Sequence, residues 1–428
     1  MNRSGRRRAR PGGMRRAGRL RELLVSGVVD SFGMALGWTV VVLLATARGG
    51  LAEAALYNAA MLGGVVLSAP VTGWLSRRHD GRALLRGAAA VEVLLRFAVL
   101  GGLIAGAPPA AVAVAVVVMH VAAWAGFAGM RAEVSAVDAS PRSMTRYAVC
   151  IAGVEAAGTA LAALLPKGAD GYPTGWLLYA VFAVYLGSLL PTVLTARRAR
   201  ISAGRAVLAR PRRAVPPGVS AGVRRAGPPP ARFRHSRRRP FPLPSPRLLL
   251  AGGSVMLIAA GPTLLAVSLT DELYGSAWVA GAAVAFSLGC LLSTAAVAFI
   301  GRLRLPVVLR WALWGLGMLA GWILAPSFAP MVLVAQFLAG LSQTAFEGDM
   351  DARVAADAEP ESVTRHLAYS AAVRSLGGAV AVRALPMLVG AAAIGTAAAA
   401  ASLALGVTAV VLWAGLNTAP HIFRRLAH

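Results

Sequence analysis

Twelve stretches of about 20 predominantly apolar residues run through this sequence, each long enough to cross a bilayer as a helix. A backbone in lipid must satisfy its polar groups within a helix or a closed barrel, and these stretches lack the alternation of barrel strands. The sequence therefore predicts an all-α integral membrane protein with twelve transmembrane helices. The stretches lie near residues 23–45, 53–75, 84–105, 110–132, 146–166, 175–195, 248–269, 276–300, 307–325, 328–350, 366–388 and 392–414.

Composition excludes several other classes of protein. Only 14% of the 428 residues are charged, against about 25% in a soluble domain, and 57% are hydrophobic. The formal net charge of +26 would suggest nucleic-acid binding in a soluble chain, but a nucleic-acid binder does not need long apolar runs. Cys150 and Cys290 lie inside apolar runs, and no metal-ligand spacing or catalytic motif is present. We expect no enzyme activity, cofactor, metal or nucleic-acid partner.

The arginines set the expected orientation, because cytoplasmic connections carry an excess of basic residues. Residues 1–22 hold nine arginines and residues 196–247 hold fifteen, whereas the opposite connections hold only Arg48 and Lys167. Both termini and the central segment are therefore expected in the cytoplasm of a bacterium, with the protein multi-pass in the plasma (inner) membrane. Lys167 is the only lysine, which we attribute to codon bias in a high-GC genome.

Five segments are expected along the chain. They are a basic cytoplasmic N-terminal tail, a six-helix half, an Arg/Pro-rich cytoplasmic linker, a second six-helix half and a cytoplasmic tail. Their bounds are 1–22, 23–195, 196–247, 248–416 and 417–428. The linker shows no apolar periodicity and is expected to be disordered. Its arginines either dock on anionic lipid headgroups or merely keep the segment in the cytoplasm.

An internal repeat supports two related halves. Residues 127–146 align without a gap with residues 346–365, at an offset of 219, and share the string Asp-Ala-x-Pro-x-Ser-x-Thr-Arg. Because six predicted spans separate the two copies, both run in the same direction through the membrane. The halves are thus expected to be related by a pseudo-twofold axis along the membrane normal, with a cavity between them near the midplane.

The connection after the second span carries the motif Gly73-Trp74-Leu75-Ser76-Arg77-Arg78-His79-Asp80-Gly81-Arg82. Together with the six-linker-six layout, it resembles the major facilitator superfamily, whose pattern here is Gly-x-Leu-Ala-Asp-Arg-x-Gly-Arg. Arg77 stands at the Asp position of that pattern, and one extra residue precedes Gly81. Residues 131–148 are similar to macrolide-type exporters of the superfamily, whereas residues 153–158 lack the Gly-Pro motif of its drug–proton antiporters.

The resemblance implies that this motif helps to close the cytoplasmic side against the other half. Since the Asp of the pattern is missing, we expect Arg77, Arg78 and Arg82 to face the acidic end of the tenth span when that side is closed. The alternative is a solvated acidic loop. The candidates for this cytoplasmic gate are Gly73, Arg77, Arg78, Asp80, Gly81, Arg82, Glu347, Asp349, Asp351 and Asp357.

Ionisable residues inside a span are costly, and each requires a reason. Asp30 lies about seven residues into the first span, roughly 10 Å deep at the rise of a helix. The resemblance implies that this helix lines the cavity, which makes Asp30 a candidate site for a proton or a cationic substrate. The alternative is a carboxylate that bonds to Ser26 or Ser31 or pairs with an arginine.

Glu155 and Arg374 occupy equivalent positions of the fifth and eleventh spans, 219 residues apart. They are candidates for proton coupling or substrate binding, as a salt bridge that protonation of Glu155 would open. The alternatives are a permanent structural pair or separate partners in the two halves. Glu92 and Arg96 have the i, i+4 spacing of an ion pair on one helix face, which we interpret as structural.

Several other polar residues are candidates with a simpler alternative. The residues that are expected to line the cavity are His120, Trp124, Gln336 and Gln343. Each of them is also compatible with packing or helix–helix hydrogen bonding. Asp271 and Glu272 lie in an outer connection and are expected to be solvated.

These observations together favour transport. Since no phosphate loop is present, the energy has to come from an ion gradient or from the gradient of the substrate itself. We expect a monomeric secondary transporter that couples protons to the export of a small, partly apolar molecule, a drug or secondary metabolite, by alternating access. The alternatives are an uptake symporter or uniporter for a small anionic solute, and a non-transporting scaffold or sensor that uses the basic linker.

Overall fold

The computed structural model describes residues 11–138, 141–168, 173–199, 245–357 and 363–426. These residues are helical almost throughout, and the one β contact among them is an isolated bridge between Lys167 and Pro173. Residues 1–10 of the predicted N-terminal tail and residues 200–244 of the predicted linker lie outside the described ranges. Their proposed contacts with anionic lipid therefore stay predictions.

The described residues form fourteen α-helices in sequence. Short 3-10 turns occur at Ala196–Arg198, Gly321–Ile323 and Ala391–Ala393. The α-helices are α1 (Pro11–Arg78), α2 (Gly81–Ile104), α3 (Pro109–Val137), α4 (Pro141–Leu164), α5 (Trp176–Gly187), α6 (Leu190–Thr195), α7 (Pro246–Ala259), α8 (Gly261–Leu264), α9 (Ala266–Tyr274), α10 (Ser276–Arg302), α11 (Val307–Ala320), α12 (Met331–Ala356), α13 (Val363–Leu388) and α14 (Ile394–Leu426).

Local sequence explains where the helices break. α1 is interrupted at Gly49 and Gly50, where Gly50 has a φ of 63°, a conformation that glycine adopts without steric cost. α2 begins after Asp80, whose side chain accepts a hydrogen bond from the Ala83 amide at 2.7 Å and so caps the helix. α9 ends at Gly275, which has a φ of 85° and precedes α10.

Every predicted span overlaps helix, and α1 contains the first two spans on either side of its break. The sixth span is divided between α5 and α6, and the seventh among α7, α8 and α9. Three shorter apolar helices cover Val149–Leu164, Pro246–Ala259 and Val307–Ile323. The total of twelve crossings stays a prediction, although the first long segment has the length of two. Within the described residues, seven segments are long and apolar enough to cross a membrane: Gly18–Leu75, Gly81–Ile104, Pro109–Val134, Trp176–Arg198, Ser276–Arg302, His366–Leu388 and Ala391–Gly415.

Apolar side chains divide between two buried cores and an exposed surface. The larger core is built mainly from α7 to α14, around Trp311, Trp322 and Phe346. The second core is built from α1 to α5, around Tyr57, Leu100 and Tyr185. Many large apolar side chains point away from both cores, as a lipid-facing surface requires. They include Leu94, Phe97, Leu250, Leu403 and Val411.

The two predicted halves meet through equivalent helices. α4 packs against α10, and α1 packs against α13, so the fifth span meets the eighth and the second meets the eleventh. Ala163 of α4 forms a small buried cluster with Val279 and Ala280 of α10. Lys167 and Asp271 form an ion pair nearby. We call the end of the bundle where this pair lies the outer end, following the predicted orientation.

Candidate functional site

Three charged side chains meet inside the N-terminal half. Arg96 of α2 is only 1% exposed, and its Nη2 donates to Asp30 Oδ1 of α1 at 2.9 Å. The same guanidinium donates to Glu92 Oε1 from Nε at 3.0 Å and also from Nη2. The ion pair that the i, i+4 spacing predicted is thus confirmed. Asp30 is paired with an arginine, which was one of the alternatives for this residue. We call Asp30, Glu92 and Arg96 the shared-arginine cluster.

The remaining donors of Arg96 are also used. Its Nη1 donates to the Tyr185 carbonyl oxygen at 2.6 Å and to Ser188 Oγ at 2.8 Å, and the guanidinium lies 4.9 Å from the Tyr185 ring centroid. Glycines of α1 allow this approach, because a Cβ at Gly33 would collide with Ser188 and one at Gly37 would collide with Tyr185. The small residues of α1 therefore bring α1, α2 and α5 together around one guanidinium.

The cluster contains one more acid than base. The Glu92 side chain is 4% exposed, while that of Asp30 is 28% exposed. Two ionised carboxylates on one guanidinium would leave a negative charge uncompensated in a membrane-spanning segment, which is costly. The arrangement is therefore able to take up a proton or a cation, and Asp30 is the more accessible of the two carboxylates.

The C-terminal half holds its buried acids differently. Asp349 of α12 accepts three hydrogen bonds from Arg310, at 2.5, 2.8 and 3.0 Å, and one from Trp311 Nε1 at 2.6 Å. Arg353 Nε lies 3.7 Å from the same carboxylate. Two arginines and an indole therefore surround a single acid. In this conformation Asp349 is bonded within its own half.

Arg374 and Glu155 are not brought together. Arg374 donates from Nη1 to Asp351 Oδ1 at 2.6 Å and to Ser370 Oγ at 2.9 Å. Arg374 therefore has a partner in its own half, as the alternative of separate partners predicted. The physical reason is the packing of the helices: α4, with Glu155, faces α10, whereas α13, with Arg374, faces α1. Glu155 and Arg374 occupy equivalent positions of the two halves, but they consequently lie at two different helix contacts, α4 with α10 and α13 with α1.

Glu155 instead lies on α4, which packs against α10, and it is exposed. No arginine or lysine of the described residues lies within 4 Å of its carboxylate. Glu347 accepts a hydrogen bond from Gln343 Nε2 at 3.1 Å. Cys290 of α10 contacts the same part of α12, because Thr344 Oγ1 donates to its Sγ at 3.2 Å. No group of three or more His, Cys, Asp and Glu residues in the described ranges is arranged to hold a metal.

The predicted cytoplasmic gate is partly visible. The Arg78 guanidinium lies over the Trp74 ring at 4.2 Å, Asp80 caps α2, and Arg82 is exposed on the first turn of α2. Gly73 lies on α1, Gly81 begins α2, and the side chain of Arg77 is outside the described residues. Asp357 follows α12 and is exposed. No ion pair joins this loop to α12 among the described side chains, so the gate stays a prediction.

The cavity-lining candidates differ in exposure. His120 is 4% exposed, its Nδ1 lies 3.0 Å from the Val116 carbonyl oxygen, and its ring meets Trp38 edge-on at 4.7 Å. Gln336 is likewise buried, at 3%. Trp124 is 40% exposed and accessible to a ligand or a lipid. Packing thus accounts for His120 in this conformation, and the substrate roles of these residues stay predictions.

The outer end holds contacts that sequence reasoning missed. Asp271, which we expected to be solvated, lies 3.3 Å from Lys167 Nζ across the two halves. Arg48 Nε donates to Glu53 Oε1 at 2.8 Å, and the Tyr57 hydroxyl donates to the same oxygen at 2.6 Å. The sequence held one indication of the Lys167–Asp271 pair: a single lysine in one outer connection and two acids in another. Recognising it required the arrangement of helices in space.

Comparison with known proteins places the fold. No protein-family model and no curated protein matches the sequence. The nucleoside transporter NupG superposes with a TM-score of 0.63 and 13% identity, over 92% of this chain and 98% of that one. The inward-open xylose transporter XylE from E. coli superposes with a TM-score of 0.62 and 11% identity, over 93% and 96%. This chain shares the fold of these solved transporters.

A further solved protein with this fold matches in two conformations. A bacterial homologue of the iron transporter ferroportin matches at a TM-score of 0.61 when inward-facing, with 16% identity over 92% of this chain and 98% of that one. Its outward-facing state gives a TM-score of 0.56, with 18% identity over 93% and 99%.

Proposed function

We propose that the chain is a secondary transporter that exports a small, partly apolar molecule in exchange for protons, by alternating access. The observation that carries the proposal is the shared-arginine cluster, inside a chain with the fold of a transporter superfamily. On the arginine bias of the sequence, the protein lies in the inner membrane with both termini in the cytoplasm. We expect it to act as a monomer.

Charge balance supports Asp30 as the proton site. The guanidinium of Arg96 neutralises one carboxylate, and a proton is the simplest way to neutralise the second. Glu92 is enclosed and bonded twice to Arg96, whereas Asp30 receives one bond from it and retains an accessible surface. Proton exchange therefore takes place at Asp30.

The position of Asp30 links the proton to movement. Asp30 lies on the part of α1 before the break at Gly49 and Gly50, and the part after the break packs against α13 of the other half. A proton on Asp30 removes the charge from the bond between α1 and α2, so the two helices shift more easily when the halves rock. The deprotonated cluster favours the inward-facing conformation, in which the proton has left toward the cytoplasm and the substrate enters.

The anion-uptake alternative is less well supported. It requires Arg374 to hold an anion, but Arg374 is 7% exposed and already bonded to Asp351 and Ser370. An arginine whose donors are satisfied by a carboxylate offers little to a second anion. Export of a partly apolar molecule needs no such arginine.

The test is accumulation of a compound panel by proteoliposomes under an imposed pH gradient. We expect at least one compound to accumulate with the unmodified protein, and gradient-driven accumulation to fall to background in Asp30→Asn. Glu272→Gln is the matched control, because it removes an exposed carboxylate of α9 near the outer end, away from the shared-arginine cluster. Equal gradient dependence in Asp30→Asn would refute the proton site. Absence of any flux through the unmodified protein, under either direction of gradient, would refute transport.

A further inference from the structure

We propose that Ser188 is a positioning residue of the proton site, and that its hydroxyl sets the pH at which the shared-arginine cluster exchanges its proton. The inference rests on the proposed function, because it adds a residue to the same proton site. Ser188 directly follows α5 and contributes a side chain of the sixth span. It acts through Arg96, to which it is bonded, and not on Asp30 itself.

Both hydrogen-bonding roles of the Ser188 hydroxyl are visible. Its Oγ donates to the Tyr185 carbonyl oxygen at 3.2 Å and accepts from Arg96 Nη1 at 2.8 Å. Because a hydroxyl has a single proton, the bond to Tyr185 leaves a lone pair of Oγ for the guanidinium. Ser188 is only 4% exposed, so bulk water does not compete for that lone pair. The hydroxyl is therefore a fixed acceptor for Arg96.

Close packing holds Ser188 in this position. The backbone amide of Ser188 donates to the Val184 carbonyl oxygen at 2.9 Å, which continues the helix beyond α5. On the other side, a Cβ added to Gly33 of α1 would lie 2.2 Å from Ser188 Oγ. Only a glycine at position 33 leaves room for the hydroxyl as it stands. Ser188 is thus enclosed between α1 and α2 at the level of the cluster.

The guanidinium of Arg96 divides its donors between charged and neutral acceptors. Nε and Nη2 donate to the carboxylates of Glu92 and Asp30, whereas Nη1 donates to the Tyr185 carbonyl oxygen and to Ser188. The neutral acceptors keep their bonds when Asp30 takes up a proton. They therefore hold the guanidinium in one place and limit how strongly it interacts with Asp30.

Loss of the Ser188 hydroxyl changes this balance in a definite direction. One buried N–H of Arg96 then has no acceptor, which is costly, and the guanidinium turns toward the carboxylates to recover a bond. The partial negative charge of Oγ is also removed, so the positive field of Arg96 at Asp30 becomes stronger. Both effects stabilise the ionised form of Asp30. The proton is consequently exchanged at a lower pH.

The other groups around the cluster are unchanged by this substitution. The titratable side chains that face the cluster from the helices packed against this part of α1 are Arg96 and Glu92 of α2, His120 of α3, Tyr147 of α4 and Tyr185 of α5. α6 contributes the uncharged hydroxyl of Thr192, which lies 3.2 Å from Ser26 Oγ. α9 holds its acids at the outer end, and α13 contacts α1 beyond its break.

Infrared difference spectroscopy of the purified full-length chain, recorded during a pH titration, tests the inference with the proton as the probe. The band to follow is the carboxylic-acid C=O absorption that Asp30→Asn removes. We expect its midpoint to move to lower pH by about 0.5–1 unit in Ser188→Ala. In Ser188→Cys the thiol is a weaker acceptor of similar shape, so we expect a smaller shift in the same direction.

Ser293→Ala is the matched control. Ser293 is also 4% exposed, and its Oγ also donates to the carbonyl oxygen three residues earlier, that of Cys290, at 2.7 Å. It lies on α10, away from the cluster, and the described hydrogen bonds give it no arginine partner. We expect the two alanine variants to lose similar stability, and the midpoint to move only in Ser188→Ala. A purely structural role of Ser188 would leave the midpoint where it is.

Three results would overturn the inference. They are an unchanged midpoint in both Ser188 variants, a shift to higher pH, and an equal shift in Ser293→Ala. Each can occur while Asp30→Asn still abolishes gradient-driven accumulation, in which case the proposed function stands and Ser188 has no part in it. If the midpoint moves as expected and no compound is transported, Ser188 stays a positioning residue and transport is refuted. If Asp30→Asn removes no band, the proton site and this inference both fail.

Discussion

In the N-terminal half one guanidinium, that of Arg96, serves two carboxylates, whereas in the C-terminal half two arginines surround the single carboxylate of Asp349. The first arrangement leaves an acid in excess and the second leaves none. Under the proposed function, the two similar halves therefore have different tasks. The half with the surplus acid is suited to exchange a proton, and the half with the saturated acid is suited to hold its helices rigidly together.

Removal of Arg96 should give the largest effect. Arg96→Leu leaves Asp30 and Glu92 buried without their guanidinium and removes the bonds to α5, so we expect a loss of about 3–5 kcal/mol in the free energy of unfolding. Unfolding in mixed micelles measures it. Arg78→Leu is the control, because Arg78 is exposed and its guanidinium lies over the Trp74 ring, away from the shared-arginine cluster. Equal losses in the two variants would contradict the comparison.

The effect of the excess carboxylate can be tested in the Arg96→Leu variant. If the uncompensated carboxylates cause most of that loss, adding Asp30→Asn to Arg96→Leu should recover part of it, since one buried charge is removed. The corresponding double variant in the C-terminal half, Arg310→Leu with Asp349→Asn, should recover less, because Arg353 is then left without its acid. Equal recovery in both halves would remove the distinction between them.

Asp349→Asn should have an intermediate effect. The amide keeps the shape but loses the charge-assisted bonds from Arg310, so we expect a loss of about 1.5–3 kcal/mol in the free energy of unfolding. Gradient-driven accumulation should keep its dependence on pH, in contrast to Asp30→Asn. A transporter that loses its pH dependence in Asp349→Asn would show that the C-terminal half also takes part in proton exchange.

Lys167→Met should give the smallest effect, because a single partly exposed ion pair contributes at most about 1 kcal/mol. That energy corresponds to a shift of up to about fivefold toward the outward-facing state. Spin labels at Thr174→Cys and Ser276→Cys, with both native cysteines replaced by Ser, would measure the distance across the outer end. An unchanged distance distribution would show that the Ala163, Val279 and Ala280 contact closes this end alone.

The sequence predicted the positions of the helices well, because each span contains about 20 predominantly apolar residues. It also found the Glu92–Arg96 pair, whose geometry depends on a single helix. It did not assign Asp30 to that pair, since this requires knowing that α1 lies beside α2 at the same depth. The apolar pattern records how each helix faces the core, but it does not record which helices are neighbours.

The charged residues near the predicted gate show the same limit. Asp349 and Asp351 were expected to face arginines of the other half, and the structure bonds them to Arg310 and Arg374 of their own half. Counting acids along the chain identified the right segment of α12. Partner choice depended on the distance between α12 and its neighbours α11 and α13, which only the packed structure provides.

The single lysine has a practical consequence for chemists. Lys167 Nζ lies 3.3 Å from a carboxylate oxygen of the opposite half, and the sequence contains no other ε-amine. A carbodiimide joins an amine and a carboxylate without a spacer. It would therefore crosslink Lys167 to Asp271 through one amide bond. The two halves would then be covalently linked at the outer end, and mass spectrometry would detect the crosslinked peptide.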